Sequence, residues 1–470
     1  MTAIAQASVS QVLGSAAAAL TQEQIPEQVR AHVELLVLDS LWCAALGATR
    51  EEVRLLERAL RTTEREGPSM VWSSLSGLSA PSAAMVNATA THAFELDDVA
   101  IGQHYGSSTI PAALAVAHLA DDRSGGRLIE AIVAGCEIAA RIQAAVGRVP
   151  HAEVGFHGPS VIASFASAVT ASKMLGLDAE QIGHAIGHAA QQASGIMATQ
   201  HGGMGKRLLA GTPARNGVLA ALLAREGFTS GAEMLEKEYG GFFSTFSGGR
   251  ATWDAERALR TPGEWATLDA RFKLWACRFP IHPALEGLRS LREAHGIAAE
   301  DVAWVEVTLD AAAKKAVGFP WTPSSTASAQ MNLQVCVASY LLDDSVFLPQ
   351  FTPDAVNRPE MLALATRVRV ADAPPEDGLF KRSAPVAVGL HSGELHRTVG
   401  HVRGGWDDPD TPHHVETKTR RIARVLGIHD SVPALWAGAL VDLPDVGRLG
   451  AACANAQRAA VSARAGAASS

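Results

Sequence analysis

The sequence predicts a mainly α protein with an inserted α+β domain, and three patterns predict it. Residues 8–265 repeat apolar side chains near i, i+3, i+4 and i+7, as in IPEQVRAHVELLVLDSLWCAALG, the period of helices with one buried face. From 302 the period falls to two, as in VAWVEVTLD, the mark of half-buried strands. Beyond Thr411-Pro412 the helical pattern returns in ETKTRRIARVLG. The expected organisation is a large all-helical domain over 1–265, an α+β lid domain over 266–410, and a helical return to the large domain over 411–470.

Each element has its own signal. Ala, Gly and Ser are dense over 158–223; small residues on helix faces let axes approach closely, so tightly packed helices around a buried centre are expected there. Leu-Gly-Leu at 175–177 ends one helix, and Asp178 with Gln181 has the spacing of a capping box for the next. Strands are expected at 302–310, 366–370, 385–390 and around 395–402, with a hairpin turn at His391-Ser392-Gly393-Glu394. One helix is expected from about Ser328 to Leu342. Thr411 reads as an N-cap with Pro412 at the first helical position. The Ala-rich AQRAAVSARAGAASS reads as a frayed tail. There is no internal repeat.

Composition narrows the function classes. Hydrophobic residues form 47% of the 470-residue chain, enough for a large core, and the net charge is −8 without a basic tract. Nucleic-acid binding rests on clustered cations, so no nucleic-acid partner is expected. The start, MTAIAQASVSQVLG, has no Lys or Arg before Arg30 and so lacks the charged region of a signal peptide. The longest apolar run, IPAALAVAHLA at 110–120, is too short to span a bilayer, so no membrane association is expected. Cys43, Cys136, Cys277, Cys336 and Cys453 are odd in number and scattered, neither a disulfide framework nor a zinc cluster. A cytoplasmic location is the default reading.

The candidate chemistry begins with QHGGMGKRLLAGTPARNG, 200–217. A phosphate-binding loop would need Gly where Gln200 stands and a hydroxyl where Arg207 stands. What remains is a cation pair, Lys206 and Arg207, held near a helix start, which is either an anion site or a glycine hinge with solvated charges. HAFELDDVAIGQHYGSS, 92–108, packs Glu95, Asp97, Asp98 and His104 together; these suit acid/base work or serve as cap and surface charges. In GFHGPS, 155–160, His157 precedes a long apolar helix, where the dipole disfavours the imidazolium; it is a neutral donor to a ligand or a cap. FKLWACRFPIHPALE, 272–286, carries Lys273, Arg278 and His282 at the expected domain boundary, lining a cleft or forming an ordinary linker. His184 and His188 have one-face metal spacing, but Ala185 stands where a zinc protease has Glu, so buried or interface histidines are the preferred reading. There is no nucleophile elbow or dinucleotide fingerprint. Several cations with acid/base residues suit a substrate with more than one carboxylate, undergoing proton abstraction, elimination or decarboxylation.

HAFELDD...QHYGSSTIPAALAVA, GFHGPSVIASFASAVTASKMLGLDAEQIGHAIG, GKRLLAGTPARNGVLAALLAREGFTSGAEMLE and FKLWACRFPIHPALE, in this order and spacing, resemble the MmgE/PrpD family over about residues 8–427. The resemblance implies a helical domain with an α+β lid, usually a homodimer, and no metal or organic cofactor. It implies a lyase acting beside a carboxylate of a small di- or tricarboxylic acid. Dehydration like that of 2-methylcitrate is the first expectation, with cis-aconitate-type decarboxylation beside it. Epimerisation of an iminodisuccinate-like carboxylate, or carboxylate binding without turnover, are the alternatives. By position it implies His104, His157, Asp97, Glu95, Lys206 and Lys273 as catalytic, and Asp98, Arg207, Arg278 and His282 as substrate-binding, with Arg207 open to a structural role. The chain departs from the family's D-F-D-D-T motif at Glu95 and Val99, has Tyr105 after His104 in place of Pro, and has Leu209 where His is frequent. Losing Thr and His removes two hydrogen-bonding groups near the site, so a smaller or more apolar substrate is expected.

Overall fold

The computed structural model describes residues 7–74, 76–100, 103–147, 154–201, 203–248, 253–260, 263–322, 325–373, 382–428 and 440–449. The Ala-rich tail lies outside them. The N-terminal part is helical: α1 (Val9–Ala19), α2 (Glu27–Gly47), α3 (Glu51–Leu60), α4 (Ala80–Thr91), α5 (Tyr105–Val116), α6 (Gly125–Val146), α7 (Gly158–Met174), α8 (Ala179–Gln192) and α9 (Leu208–Arg225). Two short paired strands, β1 (Ser69–Met70) and β2 (Gly77–Leu78), interrupt them. Helix α7 is the centre, packed against α5, α6 and α9, while α4 packs on α2, α5 and α9. The small residues make this possible: a Cβ on Gly217 of α9 would stand 2.4 Å from the Ser167 Cβ of α7. Asp178 and Gln181 form the expected capping box at the start of α8. Helical periodicity overreaches after α9. The glycine-rich 226–248 stretch yields turns and the one-turn helix Phe242–Phe246, whose Phe242, Phe243 and Phe246 are buried.

The lid carries a four-stranded sheet of β3 (Val302–Leu309), β4 (Val368–Asp372), β5 (Ser383–Leu390) and β6 (Leu395–His401), in the order β4-β3-β5-β6. β3 runs parallel to β4 and antiparallel to β5, and β5 and β6 form the hairpin closed by the 391–394 turn. Helix α10 (His282–His295) packs across β5 and β6. The single helix expected at 328–342 is two: Thr326–Gln330 ends, and Asn332 caps α11 (Leu333–Asp343) by accepting the Val335 N–H at 3.0 Å. Helix α12 (Thr411–Leu426) returns to lie on α2. Its N-cap is Asp410 and Thr411 is already helical, because the Thr411 hydroxyl donates to the Gly405 carbonyl at 2.7 Å instead of capping. Among the described residues, no single helix is long and apolar enough to cross a membrane.

Candidate functional site

The site lies where α4 ends and α5, α7 and α9 begin. Helix α4 stops at His92, and the chain turns through Glu95, whose φ of 54° is left-handed. That region is uncommon outside Gly, Asn and Asp, and such strain persists where surroundings hold it. Here they do. Glu95 Oε1 accepts from Lys206 Nζ at 2.9 Å and from the Arg207 guanidinium at 3.0 Å, while Lys273 Nζ lies 3.4 Å from Oε2. All four side chains are buried. Burial pushes the Glu95 carboxyl up, but Lys206, His92 and Lys273 outweigh it and hold the group well below the usual range. Asp97 receives the His92 Nδ1–H at 2.9 Å, with Lys273 Nζ at 3.6 Å. These neighbours hold it low against burial.

Asp98 faces a different way. Its two oxygens accept the Tyr105 and Gly106 N–H groups at 2.9 and 2.8 Å, capping α5. Gly106 has to be glycine for this approach, since a Cβ there would sit 2.1 Å from the Ser40 hydroxyl and 2.6 Å from Asp98 Oδ1. Burial, with the Asp97 charge behind it, pushes the Asp98 carboxyl up to about 8.

Two imidazoles face one cavity with opposite hydrogen-bonding polarity. His104 Nδ1 lies 2.7 Å from the Asp98 carbonyl. A carbonyl only accepts, so Nδ1 carries the proton and Nε2 keeps its lone pair. His157, the N-cap of α7, accepts the Ser160 N–H on Nδ1 at 3.2 Å, so its proton is on Nε2. Burial pushes His104 down to about 3, and pushes His157 well below the usual imidazole range with the Lys206 charge adding to it. One ring therefore offers an acceptor and the other a donor. They line a cavity of about 10 Å³ with His92, Ser107, Ser108 and Leu209, room for about one water. The starts of α5, α7 and α9 all border it, and helix N-termini favour an anion.

The remaining sequence candidates are placed as follows. Arg207 is buried and bridges Glu95 to the Gln330 carboxamide at 3.0 Å, joining the large domain to the lid. Gln330 in turn donates to the carbonyls of Phe94 and Ala276 at 2.8 Å. Arg278 is half-buried and donates to the Ala316 carbonyl at 3.1 Å. His282 lies 3.3 Å from the Cys277 carbonyl. The Val99 backbone pairs with Arg271, tying the acidic loop to the hinge. His188 donates to the Phe228 carbonyl at 2.8 Å and His184 accepts the Ser230 N–H at 3.2 Å, so both rings hold the loop after α9. Sequence reasoning missed His92, whose Nε2 lies 2.9 Å from Lys206 Nζ. It also missed Ser108, which donates to the His104 carbonyl at 2.9 Å, and Gln330. His92 and Ser108 sit inside the same HAFELDD...GSS stretch; Gln330 had no local signal.

His92, Asp97 and His104 bring three metal-ligand-type atoms together. The donor set suits a cation poorly. His104 Nδ1 is protonated toward a carbonyl, and the Lys206 and Lys273 ammonium groups already stand against His92 and Asp97. The arrangement instead presents positive charge and an acid/base pair to an anion.

Residues 11–254 match the MmgE/PrpD N-terminal domain and residues 275–431 the MmgE/PrpD C-terminal domain. A cis-aconitate decarboxylase of Aspergillus terreus is 31% identical over 370 residues, covering 74% of this chain and 75% of that protein. A cis-aconitate decarboxylase-like protein, oryM, of Aspergillus oryzae is 28% identical over 424 residues, 86% of this chain and 88% of that protein. The Homo sapiens cis-aconitate decarboxylase is 24% identical over 445 residues, 91% and 90% of the two chains. The chain belongs to the MmgE/PrpD family.

Proposed function

We propose that this member of the MmgE/PrpD family is a lyase that removes carbon dioxide from a small polycarboxylate of the cis-aconitate type. The carrying observation is the imidazole pair of opposite polarity on one cavity, beside the Lys206 and Lys273 ammonium groups. The similarity to cis-aconitate decarboxylases supports the leaving group.

Substrate carboxylates take positions beside Lys206 and Lys273, where charge-assisted contacts are strongest. Their negative charge raises the His104 basicity from its unliganded value near 3, because an adjacent anion favours the imidazolium. Asp97, 3.4 Å from Nδ1, balances that charge. One carbon–carboxylate bond then breaks and carbon dioxide leaves. The electron pair moves into the adjoining carbons, with the enolate-like charge resting on a remaining carboxylate near Lys273. His104 Nε2–H gives its proton to the carbon beside that carboxylate and is recharged from water. His157 stays neutral and donates a hydrogen bond from Nε2 to a carboxylate oxygen. This route uses only the chain's own residues. A cavity of about 10 Å³ is far too small for such a molecule, so substrate entry requires the side chains around it to move apart.

Water loss would use the same parts, with the His104 Nε2 lone pair taking a proton from the carbon beside a carboxylate, the C–H electrons forming the double bond, and the hydroxyl leaving as water with a proton delivered to it. Proton NMR of the enzyme with cis-aconitate and with 2-methylcitrate separates the two. The proposal expects carbon dioxide loss from cis-aconitate. Water loss from 2-methylcitrate with cis-aconitate untouched would replace decarboxylation by dehydration, and inertness toward both would sink the lyase reading for these substrates.

A further inference from the structure

A second cavity, of about 280 Å³, is lined by Leu274 and Trp275, which follow Lys273 in the chain, by Arg403, and by the α12 side chains of Thr417, Lys418 and Arg421. That is near the lower end of small-ligand pockets. Most of its charges are matched. Arg403 makes two bonds to the Glu286 carboxylate, at 2.7 and 3.1 Å. Lys418 pairs with Asp39 at 2.6 Å. His414 Nε2 lies 3.4 Å from Asp408.

Arg421 differs. It is half-buried, donates to the Ser345 hydroxyl at 2.9 Å and lies over the Phe347 ring at 4.3 Å. Among the described residues no carboxylate pairs with it, and burial together with the Arg424 charge pushes its guanidinium down. A partly desolvated cation without a counter-charge is costly, and an anion in the cavity would offset that cost. Leu274 and the Trp275 indole also line the cavity and supply apolar surface.

We propose that this cavity binds a small organic monoanion, its carboxylate on Arg421 and the Thr417 hydroxyl and its apolar body against Leu274 and Trp275. The site stands close to the catalytic cluster. Leu274 follows Lys273 in the chain, and Lys418 Nζ donates to the Leu96 carbonyl, between Glu95 and Asp97. It is independent of the reaction proposed above.

The test is isothermal titration of the full chain with benzoate, a flat aromatic carboxylate, and separately with inorganic phosphate. Benzoate is expected to bind the wild type and Lys206→Ala alike, since Lys206 pairs with Glu95 and does not line this cavity. Arg421→Gln should weaken benzoate by about tenfold or more with unchanged circular dichroism. Thr417→Val, on an exposed hydroxyl, should weaken it less and serves if Arg421→Gln misfolds. Equal binding by Arg421→Gln, loss of binding in Lys206→Ala, or no heat from benzoate to millimolar concentration would each overturn the proposal. Phosphate binding that depends on Arg421 without benzoate binding would also overturn it, because the site would then read an inorganic anion.

Discussion

Glu95→Gln probes the centre of the cationic cluster. In the native chain one carboxylate meets Lys206 at 2.9 Å, Arg207 at 3.0 Å and Lys273 at 3.4 Å, all of them nearly excluded from water. The amide keeps the shape and one acceptor oxygen but removes the charge. Lys273 keeps Asp97 at 3.6 Å, whereas Lys206 and Arg207 lose their only carboxylate among the described residues. Breaking a buried ion pair by removing one partner costs about 3–5 kcal/mol, and here two of the three cations are stranded, so the variant should lose stability on that order. Because the native carboxyl is held low, its contribution is complete above the ordinary Glu value of 4.5 and is lost as pH falls toward the depressed value. The stability difference between wild type and variant should therefore shrink below that pH. Urea unfolding of both proteins between pH 7 and pH 3, followed by circular dichroism, reads the effect. A dicarboxylate added to the variant should restore part of the loss by mass action. A loss under about 1 kcal/mol, the size of an exposed pair, with no pH dependence, would refute the view that Glu95 organises these cations.

Other outcomes follow from the same geometry. Lys206→Ala should lower turnover by orders of magnitude while the circular dichroism stays native; unchanged turnover would remove Lys206 from the site. Asp98 is raised to about 8, so the folded state holds a proton that the unfolded chain releases above 3.8; its contribution is full below 3.8 and declines as pH rises toward 8. Asp98→Asn should therefore gain on the wild type between pH 5 and pH 8 in urea midpoints, and a constant difference would contradict the assignment. Lys418→Met should cost about 3–5 kcal/mol by stranding Asp39 in the core. Adding Asp39→Asn should recover most of it, and additive losses in denaturation would show the pair to be uncoupled.

Much of the fold was legible because its signals are local. Alternation at 302–310 and 385–390 marked β3 and β5 within a residue or two, and Asp178 with Gln181 announced the α8 cap. Strand order was not legible, because the parallel β3–β4 pairing depends on a chain crossover rather than on either strand's pattern. The break at Asn332 was hidden by apolar periodicity that runs through it; a side-chain cap overrides that pattern. The structure brings the residues of the acidic stretch into one neighbourhood, yet the sequence could not divide their work. Asp98 caps a helix, Asp97 orients His92 and Glu95 gathers cations, a split set by a left-handed turn at 95 and by burial. The Arg207–Gln330 bridge joins residues 123 positions apart, and only the tertiary fold brings them together.

The central claim is that His104 carries the proton. The direct test is turnover of cis-aconitate in D2O by the wild type and by His104→Gln, followed by proton NMR. A decarboxylated product with one deuterium on the carbon beside a carboxylate is expected. His104→Gln should slow this by about 10²–10⁴-fold while still binding the substrate. A product without deuterium, or wild-type turnover by His104→Gln, would contradict it.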